Sequence, residues 1–404
     1  MSHCNRQKSV TTAAHAETTA KFKLSTLAAV AVAALIAAPA QAAPTLEQKV
    51  EQLTGEVDKL KQEVANQKSS PADMGHGHGT DAGKTTIGGY GELHYNALDS
   101  KDEIDFHRFV LFFGHRFSDR INFYSELEVE HTQAGEGKSG GEVAIEQAFL
   151  NFDLTDSLAA KAGVILVPAG ILNETHEPPT FYGVERNPVE TNVIPTTWRE
   201  TGAGLSGRFG QGFGYDLLLS SGLKMLTTGS SAYSIRSGRQ SGRQADANNA
   251  AVTARLKWSG APGVELAATA QRQSDITQGT VADGVAGAAT LWEAHVVLAR
   301  GPFGLRALYA NWDLNGAGPK ALGRDEQKGW YVEPSFKLTP KFGVFARLNE
   351  WDNDAGDATD SKKKQKDFGF NYWPHENVVV KFDIQRQSGA VNDDGFNLGV
   401  GYMF

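Results

Sequence analysis

Apolar and polar residues alternate with a period of two along most of the chain beyond Ile87. The alternation is clearest between Ile121 and Glu130. Ile121, Phe123, Ser125, Leu127 and Val129 fall on one face, and Asn122, Tyr124, Glu126, Glu128 and Glu130 on the other. Successive side chains of a strand point to opposite sides, so the three glutamates share a face that cannot enter a dry core. That face suits a wet lumen. Val252, Ala254, Leu256 and Trp258 oppose Thr253, Arg255 and Lys257, and Val264, Leu266, Ala268 and Ala270 oppose Glu265, Thr269 and Gln271. The pattern recurs from Trp330 to Leu338, with Tyr331, Glu333, Ser335 and Lys337 inside. It recurs again from Val378 to Gln385, with Val379, Lys381, Asp383 and Gln385 inside. At the end of the chain Phe396, Leu398, Val400, Tyr402 and Phe404 alternate with Asn397, Gly399, Gly401 and Met403.

Short turns join these strands in pairs: Ser118-Asp119, Thr155-Asp156-Ser157, Gly210-Gln211-Gly212, Gly260-Ala261-Pro262, Gly301-Pro302, Thr339-Pro340-Lys341 and Pro374-His375-Glu376. Longer polar stretches lie between the pairs, near residues 98–102, 133–141, 168–198, 223–249, 274–287, 314–325, 352–364 and 388–393. About 16 strands of roughly ten residues result, with short periplasmic turns and long extracellular loops. The predicted fold is all-β: residues 85–404 form a closed antiparallel 16-stranded transmembrane β-barrel. A large soluble β-sandwich is the competing reading, with the charged faces turned to solvent. The segment from Ile104 to Arg116 is apolar on both faces, which suits a wall against another subunit or one covered inside by a folded loop. Trp258, Trp292, Trp312, Trp330, Trp351, Tyr372, Trp373, Tyr402 and Phe404 lie near strand ends, where interfacial girdles belong.

The chain is 40% hydrophobic, yet no run of about 18 apolar residues offers a spanning helix. Lys21 and Lys23 precede an apolar run ending at Ala38, and Ala40-Gln41-Ala42 is a small-x-small site, so residues 1–42 read as a cleaved signal peptide. The single cysteine, Cys4, leaves with it, which excludes disulfides and thiolate metal sites from the mature chain. Residues 1–42 carry four basic residues and one acidic one. The mature chain therefore holds 35 basic against 46 acidic residues, a net charge of −11 that argues against nucleic acid as a partner.

Residues 43–68 read as a coiled-coil oligomerisation segment. Leu46, Val50, Leu53, Val57, Leu60 and Val64 form a heptad seam, and a helix this short needs a partner to persist. Residues 69–84 form a flexible linker. Within it His76 and His78 offer two imidazoles and no third ligand, so they read as solvated, and the sequence assigns no metal site and no cofactor. Gly83-Lys84-Thr85 resembles a phosphate loop but precedes a strand in place of following one, and is rejected.

The third loop, residues 168–198, is the longest of those that punctuation leaves without strands. Such a loop is usually functional. It holds Pro168, Pro178, Pro179, Pro188 and Pro195, and it carries Glu174, His176, Glu177, Glu185, Arg186 and Glu190. Ala162-Gly163, Pro168, Gly170, Phe181, Glu185-Arg186, Pro195 and Arg199-Glu200-Thr201-Gly202 resemble the signature region of the phosphate-selective porins of the O/P type. Gly88-Gly89-Tyr90-Gly91-Glu92 and a coiled coil before the barrel are similar to members of that family, DcaP-like trimeric channels among them. The resemblance implies a Gram-negative outer-membrane location, a homotrimer, and a third loop that folds inward as a constriction. In such barrels the terminal aromatic, here Phe404, is the assembly signal read by the barrel-assembly machinery, and lipid and lipopolysaccharide surround the wall.

The expected function is a water-filled channel for small hydrophilic or charged solutes, narrowed by loop 168–198. The alternative is a structural barrel, self-associating or tied to the cell wall through its coiled coil, without transport. Phosphate capture would need a row of stacked cations, whereas the third loop is net acidic. Lumen-facing Arg255, Lys257, Arg306, Lys337, Arg347 and Lys381 stand against Glu126, Glu128, Glu130, Glu265, Glu293, Glu333 and Asp383. Opposed as two walls these would set up a transverse field; intermixed, they would solvate one another. Arg236, Arg239 and Arg243 lie in a Ser/Gly-rich fourth loop that reads as mobile. Gly137-Lys138-Ser139-Gly140-Gly141 fits G-x-S-x-G but lacks the strand–turn–helix setting of a nucleophile elbow, so no enzyme is expected.

Overall fold

The computed structural model describes residues 84–132 and 141–404. The expected signal, the seam from Leu46 to Val64, the linker histidines His76 and His78, and Ser139 lie outside the described residues. The strands are β1 (Thr85–Leu98), β2 (Asp102–Ser118), β3 (Ile121–Glu130), β4 (Val143–Thr155), β5 (Leu158–Leu166), β6 (Arg199–Phe209), β7 (Phe213–Ser220) and β8 (Ala251–Trp258). They continue as β9 (Val264–Gln273), β10 (Ala289–Arg300), β11 (Phe303–Leu314), β12 (Glu326–Thr339), β13 (Phe342–Asp352), β14 (Lys363–His375), β15 (Val378–Gly389) and β16 (Gly395–Met403).

Each strand pairs with its neighbours in sequence, and β1 pairs antiparallel with β16 from Tyr90↔Met403 to Leu98↔Gly395, which closes the barrel. Gly89 and Phe404 extend the seam by exchanging backbone N–H···O bonds of 3.0 and 2.9 Å. A closed sheet leaves no edge to satisfy in lipid. The parity of the alternation sorts the side chains. Leu205, Leu219, Val252, Leu256 and Phe368 are exposed on the outer surface, whereas Thr253, Arg255, Glu293, Asn349 and Asp367 are buried within.

Several strand pairs shift register, and two of the shifts re-aim lumen side chains. Glu92 opposes Arg108 and His94 opposes Asp105, so β2 carries one residue more than β1 between these pairs. Glu126 opposes Gln147 and Leu127 opposes Ile145, which leaves Glu146 of β4 without an opposite. Bulges of this kind re-aim side chains. His107 stacks on His94 with ring centroids 4.7 Å apart, while the adjacent Arg108 also turns inward, to Glu92. Glu146 and Gln147 likewise both face the lumen.

The apolar core lies inside the barrel. Val189, Val193, Ile194 and Trp198 of the third loop (167–198) and Leu223, Tyr233 and Ile235 of the fourth (221–250) pack with Leu291, Trp312, Tyr331 and Trp351 of the wall. Three aromatics expected in the girdle therefore stand elsewhere. Trp312 donates to the Val193 carbonyl at 3.1 Å and Trp373 to the Pro179 carbonyl at 3.2 Å, and Trp351 is buried in the core. Nearness to a strand end placed them in the girdle, but their parity is that of the inner face. Trp292 and Trp330 have the opposite parity and are exposed outside. The doubly apolar β2 is covered from within: Val110 is fully buried, and Phe112 packs on Tyr90, whose ring meets His176 of the third loop edge-on at 6.0 Å.

The closing strand is thin where the loop touches it. A Cβ on Gly401 would lie 2.2 Å from Pro178 Cβ, and one on Gly399 3.0 Å from Val184 Cγ1. Gly401→Leu should therefore push this corner of the loop off the wall at an overpacking cost of about 1–3 kcal/mol. The expected result is a lower temperature for loss of the compact form on gels, with unchanged strand content by circular dichroism.

Candidate functional site: a lumen filled by the third loop

A loop inside a barrel needs partners for its backbone, and the inner wall supplies them all round. The Pro168 carbonyl accepts from Thr269 of β9 at 3.2 Å, and Glu174 pairs with Arg255 of β8. Asn371 of β14 donates to the Phe181 carbonyl at 2.9 Å, Arg347 of β13 to Tyr182 at 3.4 Å, and Lys381 of β15 to Gly183 at 2.9 Å. Val184 N–H donates to Asp383 Oδ2 at 2.7 Å. Glu185 then meets His94 and Asn96 of β1, each at 3.0 Å. Burial alone would raise the Glu185 carboxyl, but the His94 charge and the hydrogen bonds hold it well below the usual carboxylate range.

Glu190, in the short helix α1 (Val189–Asn192), is fully buried and turned onto the loop itself. Its Oε1 accepts the N–H groups of Ile171 and Leu172, both at 2.6 Å, and its Oε2 accepts Asn187 Nδ2 at 3.0 Å and Tyr331 OH at 2.8 Å. It pins both ends of the loop to β12. Glu190→Ala leaves these donors buried and unpaired, a loss of about 3–5 kcal/mol. Denaturant unfolding of the refolded barrel should show a decrease of this size, and a change under about 0.5 kcal/mol would remove Glu190 from this role.

Cavities lie beside the loop, and two of them touch it. One, of about 310 Å³, lies between Glu92, His94 and Arg108 of the wall and Val184, Glu185 and Arg186 of the loop, and is also lined by Arg236 of the fourth loop. The other, of about 440 Å³, opens among the short turns at Gly301, Pro302, Pro340 and Glu376. Phe181 lines both. Its ring is buried, with Lys381 Nζ 3.5 Å from the centroid.

The lumen charges pair between neighbouring strands. Arg108 bridges Glu92 and Glu128 at 2.8 and 3.0 Å, and Arg347 bridges Glu333 and Asp367 at 3.1 and 3.0 Å. Arg255 also holds Asp216 at 2.7 Å, and Lys257 stands 3.7 Å from Glu265. Glu293 contacts His295 at 2.7 Å, Arg306 donates to the Thr180 carbonyl at 2.8 Å, and Lys337 lies over the Trp373 ring. Acid and base are thus intermixed, and the two opposed walls of a transverse field are not formed. Glu130 tops β3, and Glu177 is half-buried, with its carbonyl accepting Thr180 N–H at 2.9 Å. Sequence reasoning missed Glu92, Arg108 and Glu146. Glu92 has the inward parity of Tyr90 and could have been found; the other two sit at bulges that no local pattern marks.

The fourth loop, read as mobile, is fastened over the third. Arg236 donates to the Thr191 and Thr196 carbonyls at 3.1 and 3.3 Å, and Arg239 to Pro195 and Thr197 at 3.3 and 2.9 Å. Arg186 donates to Thr197 Oγ1 at 3.1 Å. Burial and then the charge of Arg108 lower the Arg186 guanidinium, and burial and then Arg186 lower that of Arg236, so these cations crowd one another.

The barrel is similar to solved outer-membrane proteins. DcaP of Acinetobacter baumannii, described as an outer-membrane channel, superposes with a TM-score of 0.54 at 15% identity over 79% of this chain and 97% of its own. OmpF of Salmonella typhi, solved with daunomycin, gives 0.54 at 11% identity over the same shares. At these identities the likeness shows the fold. An uncharacterized protein of Aquifex aeolicus (strain VF5) is 28% identical over 365 residues, covering 79% of this chain and 80% of the relative. The family model for phosphate-selective porin O and P matches residues 88–388. The chain therefore belongs to the phosphate-selective porin O and P family, and its barrel is that of an outer-membrane channel for small solutes.

Proposed function

We propose that the channel passes small anionic solutes, and that the third loop narrows it beside Arg108, Arg186 and Arg236. One observation carries this reading: the three guanidinium groups line a single cavity of about 310 Å³. Arg108 is neutralised by Glu92 and Glu128, but Arg186 and Arg236 donate only to hydroxyl and carbonyl oxygens among the described residues. Donors without a carboxylate in a confined wet space favour an anion. The cavity has room for about ten waters or one hydrated small anion. The net charge of the mature chain, −11, makes this local reversal of sign a property of the site and not of the whole protein.

The zero-current potential across a planar bilayer under a potassium chloride gradient tests the reading. Preference for chloride over potassium is expected; preference for potassium would overturn it. The heptad seam between Leu46 and Val64 supports self-association, with a trimer as the proposed state. Deleting residues 45–67 should leave the conductance step intact and weaken the oligomer on unheated gels.

A further inference from the structure

One cluster on the wall is not used by this reading. His176 Nδ1 lies 3.1 Å from the Asn173 carbonyl, which can only accept, so Nδ1 carries the proton and Nε2 faces away from it. Nε2 faces Glu146 Oε2 at 3.6 Å and Glu126 Oε2 at 3.9 Å, both beyond hydrogen-bond reach. The three donor atoms lie within 4.8 Å of one another. Ligand atoms each about 2.0–2.2 Å from one zinc ion stand up to about 4 Å apart. Both Glu146 oxygens, Glu126 Oε2 and His176 Nε2 are buried without a hydrogen bond among the described residues, and Glu146 and His176 are 0% and 3% exposed. The buried carboxylates Glu92, Glu128, Glu333 and Asp367 each reach an arginine within 3.1 Å; among the described residues this pair reaches none.

The surroundings orient the donors. Gln147 Nε2 donates to Glu126 Oε1 at 2.7 Å, which leaves Oε2 for the cluster. The β4 bulge is what brings Glu146 and Gln147 to the same side. Asn173, whose carbonyl fixes the imidazole, is itself held by donation to the Val167 and Trp198 carbonyls at 2.7 and 3.0 Å. Metal-bound imidazoles characteristically donate their second N–H to such a carbonyl.

We propose that Glu126, Glu146 and His176 bind one divalent transition-metal ion, which clips the third loop to β3 and β4. Two carboxylates and a neutral imidazole balance a charge of +2. One nitrogen with two oxygens suits zinc, manganese or ferrous iron, whereas calcium takes six to eight oxygens. The inference is independent of ion selectivity, since metal uptake is read without a current.

The test uses the full-length protein in detergent, stripped with a chelator and titrated with Zn2+ or Co2+. One site per chain is expected, with cobalt d–d absorption and no displacement by excess Ca2+. Glu146→Gln and His176→Gln should each weaken binding at least about 100-fold. His131→Ala, which breaks the other His/Asp cluster at Asp105 and His107, and the paired His76→Ala and His78→Ala exchanges should keep the site. Overturning results are a wild-type protein with no cobalt absorption, a site retained in both Glu146→Gln and His176→Gln, or a site lost with His131 or the linker histidines. A protonated His176 lying between two carboxylates without metal would give the first of these. If a core variant fails to fold, the wild-type cobalt spectrum alone decides.

Discussion

Phe181→Ala should raise the single-channel conductance about twofold or more, because pore radius sets the current. Among the described residues Phe181 alone lines both the loop-side cavity and the turn-side cavity. Its ring is 3% exposed and lies under the Lys381 ammonium. Removing it joins the two spaces while leaving the Phe181 carbonyl with its Asn371 donor. The loop therefore stays where it is, and the effect is local. The single-channel step in one molar potassium chloride would show it, and an unchanged step would mean that solutes pass elsewhere. Shortening the third loop should raise conductance as well, but it also removes the apolar packing of Val189, Val193, Ile194 and Trp198, so its effect is less specific.

Neutralising Arg186 and Arg236 together as glutamines should cut the anion-to-cation permeability ratio at least about 30-fold. A unit charge about 4 Å from a permeant ion contributes about 1 kcal/mol in water, and two such charges are removed. Arg236 stabilises the third loop through two carbonyls, so part of the change could come from a looser loop. The conductance separates the two causes: charge loss alone lowers the ratio at nearly constant conductance, whereas loosening raises both ion fluxes. A ratio within twofold of the wild type would remove these arginines from the selective segment.

The barrel was legible because parity is a local property. Glu126, Glu128 and Glu130 on one face, with Leu127 and Val129 between them, already demand a wet side and a greasy side. Turn residues such as Gly301-Pro302 mark where strands end. Long-range pairing is another matter. That Arg347 finds Glu333 and Asp367, or Arg108 finds Glu92, follows from cross-strand register, which no window of sequence contains. Hence the charges could be placed inside but not sorted into walls or pairs.

Bulges hide more. One extra residue in β4 turns Glu146 to the lumen beside Gln147, against the simple alternation of that strand. Trp312 and Trp351 show the converse: both stand near strand ends, yet their parity is that of the inner face and both are buried. The third loop announced itself by length and its five prolines. Its path across β8, β14, β15 and β1 is written in side chains such as Lys381 and Asp383, which read in sequence only as polar lumen residues, and Asn371, which carries no signal there.

The central claim is that solutes pass a constriction formed by the third loop at Phe181. The only cysteine of the chain, Cys4, lies in the expected signal, so a cysteine placed at 181 would be unique in the mature protein. The decisive measurement is the current through single Phe181→Cys channels before and after a charged thiosulfonate reagent is added to either side. The account predicts a stepwise fall in current from both sides, with no response in the wild type. Full current after confirmed labelling of position 181 would contradict it.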